Sequence, residues 1–316
     1  MPLRPARRAG LVTAVVALVP WTWLLLRDRL GGFGDLLAVF LPVGWFLLVA
    51  AALVVWRVLR VPWWTSAAWI ASVTVVALIA ITGPRWPDDR GTASDPIRIV
   101  AANVYYRNDS EAAAAADLRA RDADVVVMSE VTHEALVELS ESYPYVVTDC
   151  LDVDRCDDEV AVLSRFPLHG AERRSSERAV LRVVVDGPAP FVLLAAHLPR
   201  PSVRPDGHDS VTFGVHRAEI DQLVRDVALE DLPVVIAGDL NLSDRTSGYR
   251  ELSDTMVDAT RTGWAGSTFP FGVFRPLMLR IDHVFVPEGW CGDDAGTLAV
   301  TGSDHRAVET TIGPCA

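Results

Sequence analysis

"PVVIAGDLNLSD", residues 233–244, opens like a buried strand and ends in polar side chains. Val234, Val235, Ile236 and Ala237 form an apolar run, Gly238 frees the backbone, and Asp239 and Asn241 follow. In an extended chain, residues two apart point to the same side, so Asp239 and Asn241 share one mouth. Taken alone, the stretch also fits a plain turn, because Asp, Asn and Gly commonly punctuate strand ends. The rest of the chain separates the two readings.

From Ile97 onward, short apolar β-branched runs recur: "IRIVAANV", "DVVVMSE", "EVAVLS", "AVLRVVV", "FVLLAAHL", "PVVIAGD", "RIDHVFV" and "RAVETTI". Helical stretches are expected near 110–121, 132–141 and 211–229. In the last, Phe213, Ile220, Leu223, Val224 and Val227 fall at helix spacing. This alternation predicts two packed sheets with helices outside. Several runs stop at residues of catalytic type: Asn103, Glu130, His197, Asp239 and Asn241. Asp282 stands where a strand begins, and Asp304 and His305 just before the last one. Singly these read as turn or surface residues. Jointly they mark a site, because the strand ends of a layered sheet converge on one edge.

Charge is uneven along the chain. Residues 1–82 carry seven Arg against Asp28 and Asp35, a balance of +5 that leaves −17 for residues 83–316. So acidic a domain is poorly suited to a long polyanion, which needs clustered positive charge. The first 82 residues hold three apolar stretches, roughly 9–26, 36–56 and 62–82. Crossing a bilayer as a helix takes about 20 apolar residues, so three transmembrane helices are expected over 1–82. Seven of the ten Trp lie in this part, several near the ends of the stretches, where aromatic belts belong. Arg4, Arg7, Arg8, Arg57 and Arg60 fall on one side against Arg27, Arg29, Arg85 and Arg90 on the other. That slight bias favours an inside N-terminus and an extracytoplasmic large domain. Residues 83–96, with three prolines, read as a linker, and 97–316 as the functional domain. Four cysteines permit disulfides in three pairings: Cys150 and Cys156 could close a short loop and Cys291 and Cys315 could tie down the C-terminus, with buried thiols as the alternative.

The order Asn103, Glu130, His197, Asp239-x-Asn241, Asp282 and Ser303-Asp304-His305 resembles the endonuclease/exonuclease/phosphatase superfamily over about residues 97–313. The resemblance implies an α+β, four-layer α/β/β/α sandwich and metal-dependent phosphoester hydrolysis. It implies that Glu130 and Asn103 serve Mg²⁺, or Mn²⁺, while Asp304 supports either the metal or the histidine. It further implies that Asp239 deprotonates the attacking water and that Asn241 holds that water or a phosphoryl oxygen. His305 would donate to the phosphoryl group, oriented by Asp282, with His197 on the other side of the phosphate. His283, where the family usually has Tyr, is expected to fill an aromatic slot rather than reach the site.

Three spans before such a domain also resemble the membrane proteins associated with teicoplanin resistance. That likeness implies a phosphohydrolase working on a lipid-linked phosphate, pyrophosphate or phosphodiester at the cell membrane. "STFPFGVFRPLM", 267–278, brings Phe269, Phe271, Phe274 and Leu277 next to "RID", either as a lipid-facing loop or as packing under the site. The competing readings are a membrane-anchored nuclease, needing an Arg cluster from Arg165, Arg200 or Arg204, and a non-catalytic scaffold. The intact residue set argues against the scaffold.

Overall fold

The computed structural model describes residues 5–60, 62–88, 90–149, 160–174, 180–205, 210–270 and 272–316. Two compact units emerge, Met1–Pro84 with Arg245–Ser247, and Arg85–Asp244 with Gly248–Ala316.

The first unit consists of helices α1 (Pro5–Leu26), α2 (Gly31–Val39), α3 (Leu41–Leu59) and α4 (Trp63–Thr82). Among the described residues two stretches are long and apolar enough to cross a membrane, Leu41–Val58 and Trp63–Arg85, rather than the three expected. The 9–26 stretch lies in α1, which contains Pro20. The expected 36–56 span is interrupted at Phe40: Pro42 lacks an N–H and its ring opposes a continuous helix, so α3 starts afresh with Pro42 in its first turn. Two hydroxyls that interrupt the apolar pattern of α4, those of Ser72 and Thr74, meet side chains of α1 and α3. Trp21 Nε1 donates to Ser72 Oγ at 3.0 Å, and Trp45 Nε1 donates to Thr74 Oγ1 at 3.0 Å.

The second unit begins β1 (Ile97–Asn103), α5 (Glu111–Arg119), β2 (Val125–Ser129), α6 (His133–Ser140), β3 (Tyr145–Thr148) and β4 (Val160–Ser164). It continues β5 (Leu168–Arg173), β6 (Val180–Val185), β7 (Phe191–His197), β8 (Arg200–Ser202), β9 (Ser210–Thr212) and α7 (Phe213–Ala228). It ends β10 (Val234–Asp239), α8 (Ser247–Thr255), β11 (Met256–Asp258), β12 (Asp282–Pro287), β13 (Trp290–Ala299) and β14 (Arg306–Pro314). Two six-stranded sheets result, ordered β13-β14-β1-β2-β4-β3 and β11-β12-β10-β7-β6-β5.

Strand alternation sorts the apolar residues into three cores. Ile97, Ile99, Ala101, Val125, Val127, Leu193, Ala195, Val235, Ala237, Val284 and Val286 lie between the sheets. The alternate residues of β1 and β2 pack on Ala114, Leu118, Ala135 and Leu139 of α5 and α6. Those of β7, β10 and β12 pack on Ile220, Leu223, Tyr249 and Leu252 of α7 and α8. The result is a helix–sheet–sheet–helix sandwich. Because side chains repeat every two residues, Asn103 continues the inward series of β1, His197 that of β7 and Asp239 that of β10, while Asp282 precedes that of β12. All four therefore sit at one end of the inter-sheet core.

Cys291 on β13 is bonded to Cys315 with Cα atoms 5.0 Å apart, tying the last residues to that edge strand. Cys150 and Cys156 lie outside the described residues.

Candidate active site

β10 runs parallel to β7 with Asp239 opposite His197, and antiparallel to β12 with Asp239 opposite Asp282. Three functional side chains thus stand abreast on one sheet. Gly238 makes the pairing possible: its φ is +138°, and a Cβ there would stand 2.1 Å from the carbonyl oxygen of Ala196. In the facing sheet Asn103 is opposite Ser129, and Glu130 follows directly. Glu130 and Asn241 both take left-handed backbone, φ 51° and 47°. Non-glycine residues there cost roughly 1–3 kcal/mol each and persist where the surroundings over-determine them. Glu130 is held through its carboxylate, which accepts from Asn103 Nδ2 at 3.0 Å and from the Tyr106 N–H at 3.1 Å. Asn241 donates its N–H to Asp239 Oδ1 at 2.9 Å and its amide to the Leu198 carbonyl at 2.9 Å.

The centre is a carboxylate–histidine lattice. Asn103 Nδ2 also donates to Asp239 Oδ2 at 3.0 Å, so one amide links the two sheets. His197 Nε2 lies 3.8 Å from both Glu130 Oε1 and Asp239 Oδ2. From the other side His305 Nε2 is 3.8 Å from Asp239 Oδ2, while its Nδ1 meets Asp282 Oδ2 at 2.9 Å. Asp304, half-buried beside His305, feels the charges of both His305 and Glu130. The eight residues named from the sequence therefore come together.

Burial and the neighbouring Asp282 charge raise the Asp239 carboxyl to about 7, against the pull of His305, Asn241 and Asn103. For His305 burial acts downward, but the charges of Asp282 and Asp239 overcome it and lift the ring to about 10. Burial also raises Asp304, opposed by His305 and reinforced by Glu130.

His283 takes the aromatic slot, as alternation on β12 requires. Its Nε2 meets the Leu242 carbonyl at 2.8 Å, and its ring packs 5.4 Å from Tyr249 and 5.5 Å from Phe285. Two supporting residues were given no role by the sequence. Ser303 Oγ donates to the Asn103 carbonyl at 2.7 Å and accepts the His305 N–H at 2.9 Å. Buried Thr268 accepts through Oγ1 from the N–H groups of Ile281 (2.9 Å) and Asp282 (3.2 Å). Its carbonyl takes the Arg306 N–H at 2.7 Å, so Thr268 fixes the backbone on both sides of the Asp282–His305 pair. The "SDH" motif named Ser303 without a role, whereas nothing local marks Thr268.

The sequence pattern of the Endonuclease/Exonuclease/phosphatase family matches residues 100–305. The chain belongs to that family. Among solved structures, an endonuclease/exonuclease/phosphatase from Beutenbergia cavernae is 21% identical with a TM-score of 0.54, covering 70% of this chain and 72% of its own. One from Bacteroides vulgatus is 17% identical with a TM-score of 0.55, covering 69% and 99%. The human Nocturnin catalytic domain with bound sulfate anion is 13% identical with a TM-score of 0.54, covering 72% and 97%. At these identities the likeness concerns the fold. No curated protein sequence matches the chain.

Endonuclease/exonuclease/phosphatase proteins are phosphoesterases and nucleases that typically use a divalent metal, and the residues present fit one. Asp239, Asp282 and His305 offer buried ligand atoms within 4.8 Å of one another, a possible metal set. In that trio, however, His305 Nδ1 and Asp282 already face each other. Of the residues expected to serve a metal, Glu130 and Asp304 offer carboxylate oxygens, the kind a hard cation prefers, whereas Asn103 turns its Nδ2 toward Glu130 and its Oδ1 toward the Tyr105 N–H at 2.9 Å. The mutual repulsion of Glu130 and Asp304 is what a cation between them would relieve.

Proposed function

We propose that this chain is a membrane-anchored, Mg²⁺-dependent phosphoester hydrolase acting on a lipid-linked phosphate, pyrophosphate or phosphodiester of the cell envelope. The observation that carries the reading is Asp239, buried and flanked by His197 and His305 at 3.8 Å each, with Asn103 joining it to Glu130. Phosphoryl transfer is mainly positioning and charge stabilisation, and this lattice supplies both.

Asp239 takes the proton of the attacking water, and a carboxyl raised toward neutrality suits that work. Asn241, set by its bonds to Asp239 and Leu198, orients the water or a phosphoryl oxygen. Asp282 accepts from His305 Nδ1, so Nε2 presents a proton toward the cleft as charge builds on the phosphoryl group. His197 approaches the same phosphate from the Glu130 side. A divalent cation held by Glu130 and Asp304, with Asn103 beside it, would screen the charge of a phosphoryl oxygen.

The lipid substrate is favoured by the two apolar helices able to cross a membrane and by the acidity of residues 83–316. The nuclease reading called on Arg165, Arg200 or Arg204; Arg165 is engaged with Asp122 and with Asp124 at 3.6 Å, whereas Arg200 and Arg204 are exposed. Counted with α1 as a third span, the slight excess of Arg on one side of the apolar stretches favours an extracytoplasmic site. Protease added to intact cells is then expected to cleave the domain, and full protection rejects that placement.

Purified full-length protein assayed side by side on prenyl pyrophosphate, a phosphodiester lipid and DNA tests the substrate class. Turnover confined to DNA rejects it. Chelation is expected to abolish turnover and added Mg²⁺ or Mn²⁺ to restore it. Glu130→Gln should weaken metal activation by at least the roughly 10–100-fold that loss of an outer-shell partner costs.

The pH profile follows from the two raised groups. Asp239 works deprotonated, so kcat/KM rises as pH passes about 7. His305 works protonated, so it falls as pH passes about 10. The pair titrates together, and these are its macroscopic limbs. Asp282→Asn removes the charge that sustains the imidazolium and should move the alkaline limb to lower pH. A profile falling between pH 6 and 8 contradicts the assignment.

A further inference from the structure

The segment between Asp258 and Asp282 contains no acidic residue, although residues 83–316 carry a net charge of −17. Its second half forms a loop beside the reacting centre. Phe269 and Leu279 pair as an antiparallel bridge, closing the loop at its foot. Arg85, buried, anchors that foot from one side: its Nε meets Asp244 at 2.7 Å and its Nη2 donates to the Met278 carbonyl. Arg85 is also the residue at which the apolar 63–85 stretch ends. Thr268 anchors the foot from the other side through the backbone of Asp282 and Arg306.

The loop divides its apolar side chains between two tasks. Leu277 is buried and does the packing. Val273 is 86% exposed, Met278 43% and Phe274 40%, and these apolar groups meet water in a loop otherwise well secured. They are continuous with the site. The Phe269 ring lies 4.8 Å from the His305 ring, edge-on, and 5.9 Å from the Phe274 ring. An apolar track therefore leaves the histidine that faces Asp239 and runs to exposed hydrocarbon, with exposed Arg275 alongside and no acidic residue in the segment itself.

Resting on the phosphohydrolase reading, we propose that Phe269, Val273, Phe274 and Met278 form a subsite for the hydrocarbon chain of an amphiphilic phosphate whose head lies between His305 and His197. Burying a methylene is worth about fourfold in affinity when fully realised, so chain length is the natural probe. Full-length protein in a single nonionic detergent is titrated with inorganic phosphate and with butyl, octyl and dodecyl phosphate. Octyl phosphate is expected to bind at least tenfold more tightly than butyl phosphate. In the double variant Val273→Ser/Phe274→Ser that ratio should collapse toward one, whereas Phe274→Leu, which keeps an apolar surface, should retain most of it.

Wild-type protein that binds inorganic phosphate yet shows no gain with chain length overturns the subsite and leaves the hydrolase reading standing. An equally steep gain in the double variant overturns it too. A double variant whose oligomeric state changes while its chain-length gain persists assigns the loop to a second copy, against the proposal. Failure to bind inorganic phosphate at all, with Mg²⁺ present, is the separate result that removes the hydrolase reading itself.

Discussion

Asp239→Ala is expected to lower kcat by about two to four orders of magnitude, and His305→Ala by a similar factor. Asp239 touches every part of the site: the Asn103 amide, the Asn241 N–H and the two histidine rings all converge on its two oxygens. Removing it takes away the proposed base and the shared counter-charge of both rings. Asp239→Asn separates chemistry from packing, because it keeps the shape and loses the proton acceptor. Stability gives a second readout. The carboxyl is raised to about 7 in the folded chain, above its ordinary range, so its ionisation opposes folding. Stability is lost as pH rises from the usual carboxylate range through about 7, and a neutral amide escapes that loss. The Asn variant should therefore melt no lower than wild type at pH 8 while remaining almost inactive. In the proposed mechanism the two residues act on one phosphate, so the double variant should be little slower than the slower single. Activity within tenfold of wild type in either single variant rejects its role.

The part of this arrangement legible in the sequence is the part written in strand periodicity. Val235, Ala237 and Asp239 share a face because they alternate, as do Leu193, Ala195 and His197, and a polar residue ending an inward series announces a site. The same rule explains His283, which must face away from Asp282. What was not legible depends on partners distant in the chain. β13 runs through "CGDDAG", poor strand material with a register shift between Asp293 and Gly296, and is held by pairing with β14 and by the Cys291–Cys315 bond. α8, "SGYRELSDT", offers only Tyr249 and Leu252 to the core, too sparse a stripe to read as a helix. Thr268 acts through backbone groups of residues 281, 282 and 306, a role that no spacing encodes. In the first unit mean hydropathy located the apolar stretches but not the break that Pro42 imposes at Phe40.

Asp258→Ala should destabilise the second unit by roughly 3–5 kcal/mol, the usual consequence of stranding a buried charge. Asp258 and Arg280 are both buried, and Arg280 Nη2 donates to the Asp258 carboxylate and to the Thr260 hydroxyl. Tyr249 OH donates to the same carboxylate at 2.7 Å, and the Thr260 hydroxyl and N–H add contacts of 2.6 and 3.1 Å. Burial pushes the Asp258 carboxyl up, but Arg280, with His283 behind it, overcomes this and holds it well below the usual range. A depressed carboxyl contributes stability that is present above its unfolded pKa and lost as pH falls through the folded one. Wild-type protein should accordingly weaken in acid below the ordinary carboxylate range, and Asp258→Asn should lose that part of the slope. Replacing both partners, as in Asp258→Ala/Arg280→Met, should cost less than Asp258→Ala alone, because no unpaired guanidinium remains. Denaturant midpoints of the three proteins at pH 7 decide the matter, and equal midpoints for Asp258→Ala and wild type refute the pair's structural role. Asp239 and Asp258 are thus two buried aspartates of one sheet with opposite shifts: one is raised toward neutrality, the other held as an anion against Arg280. Substituting the first should remove activity and leave the fold, whereas substituting the second should weaken the fold while molecules that remain folded keep the Asp239–His305 geometry.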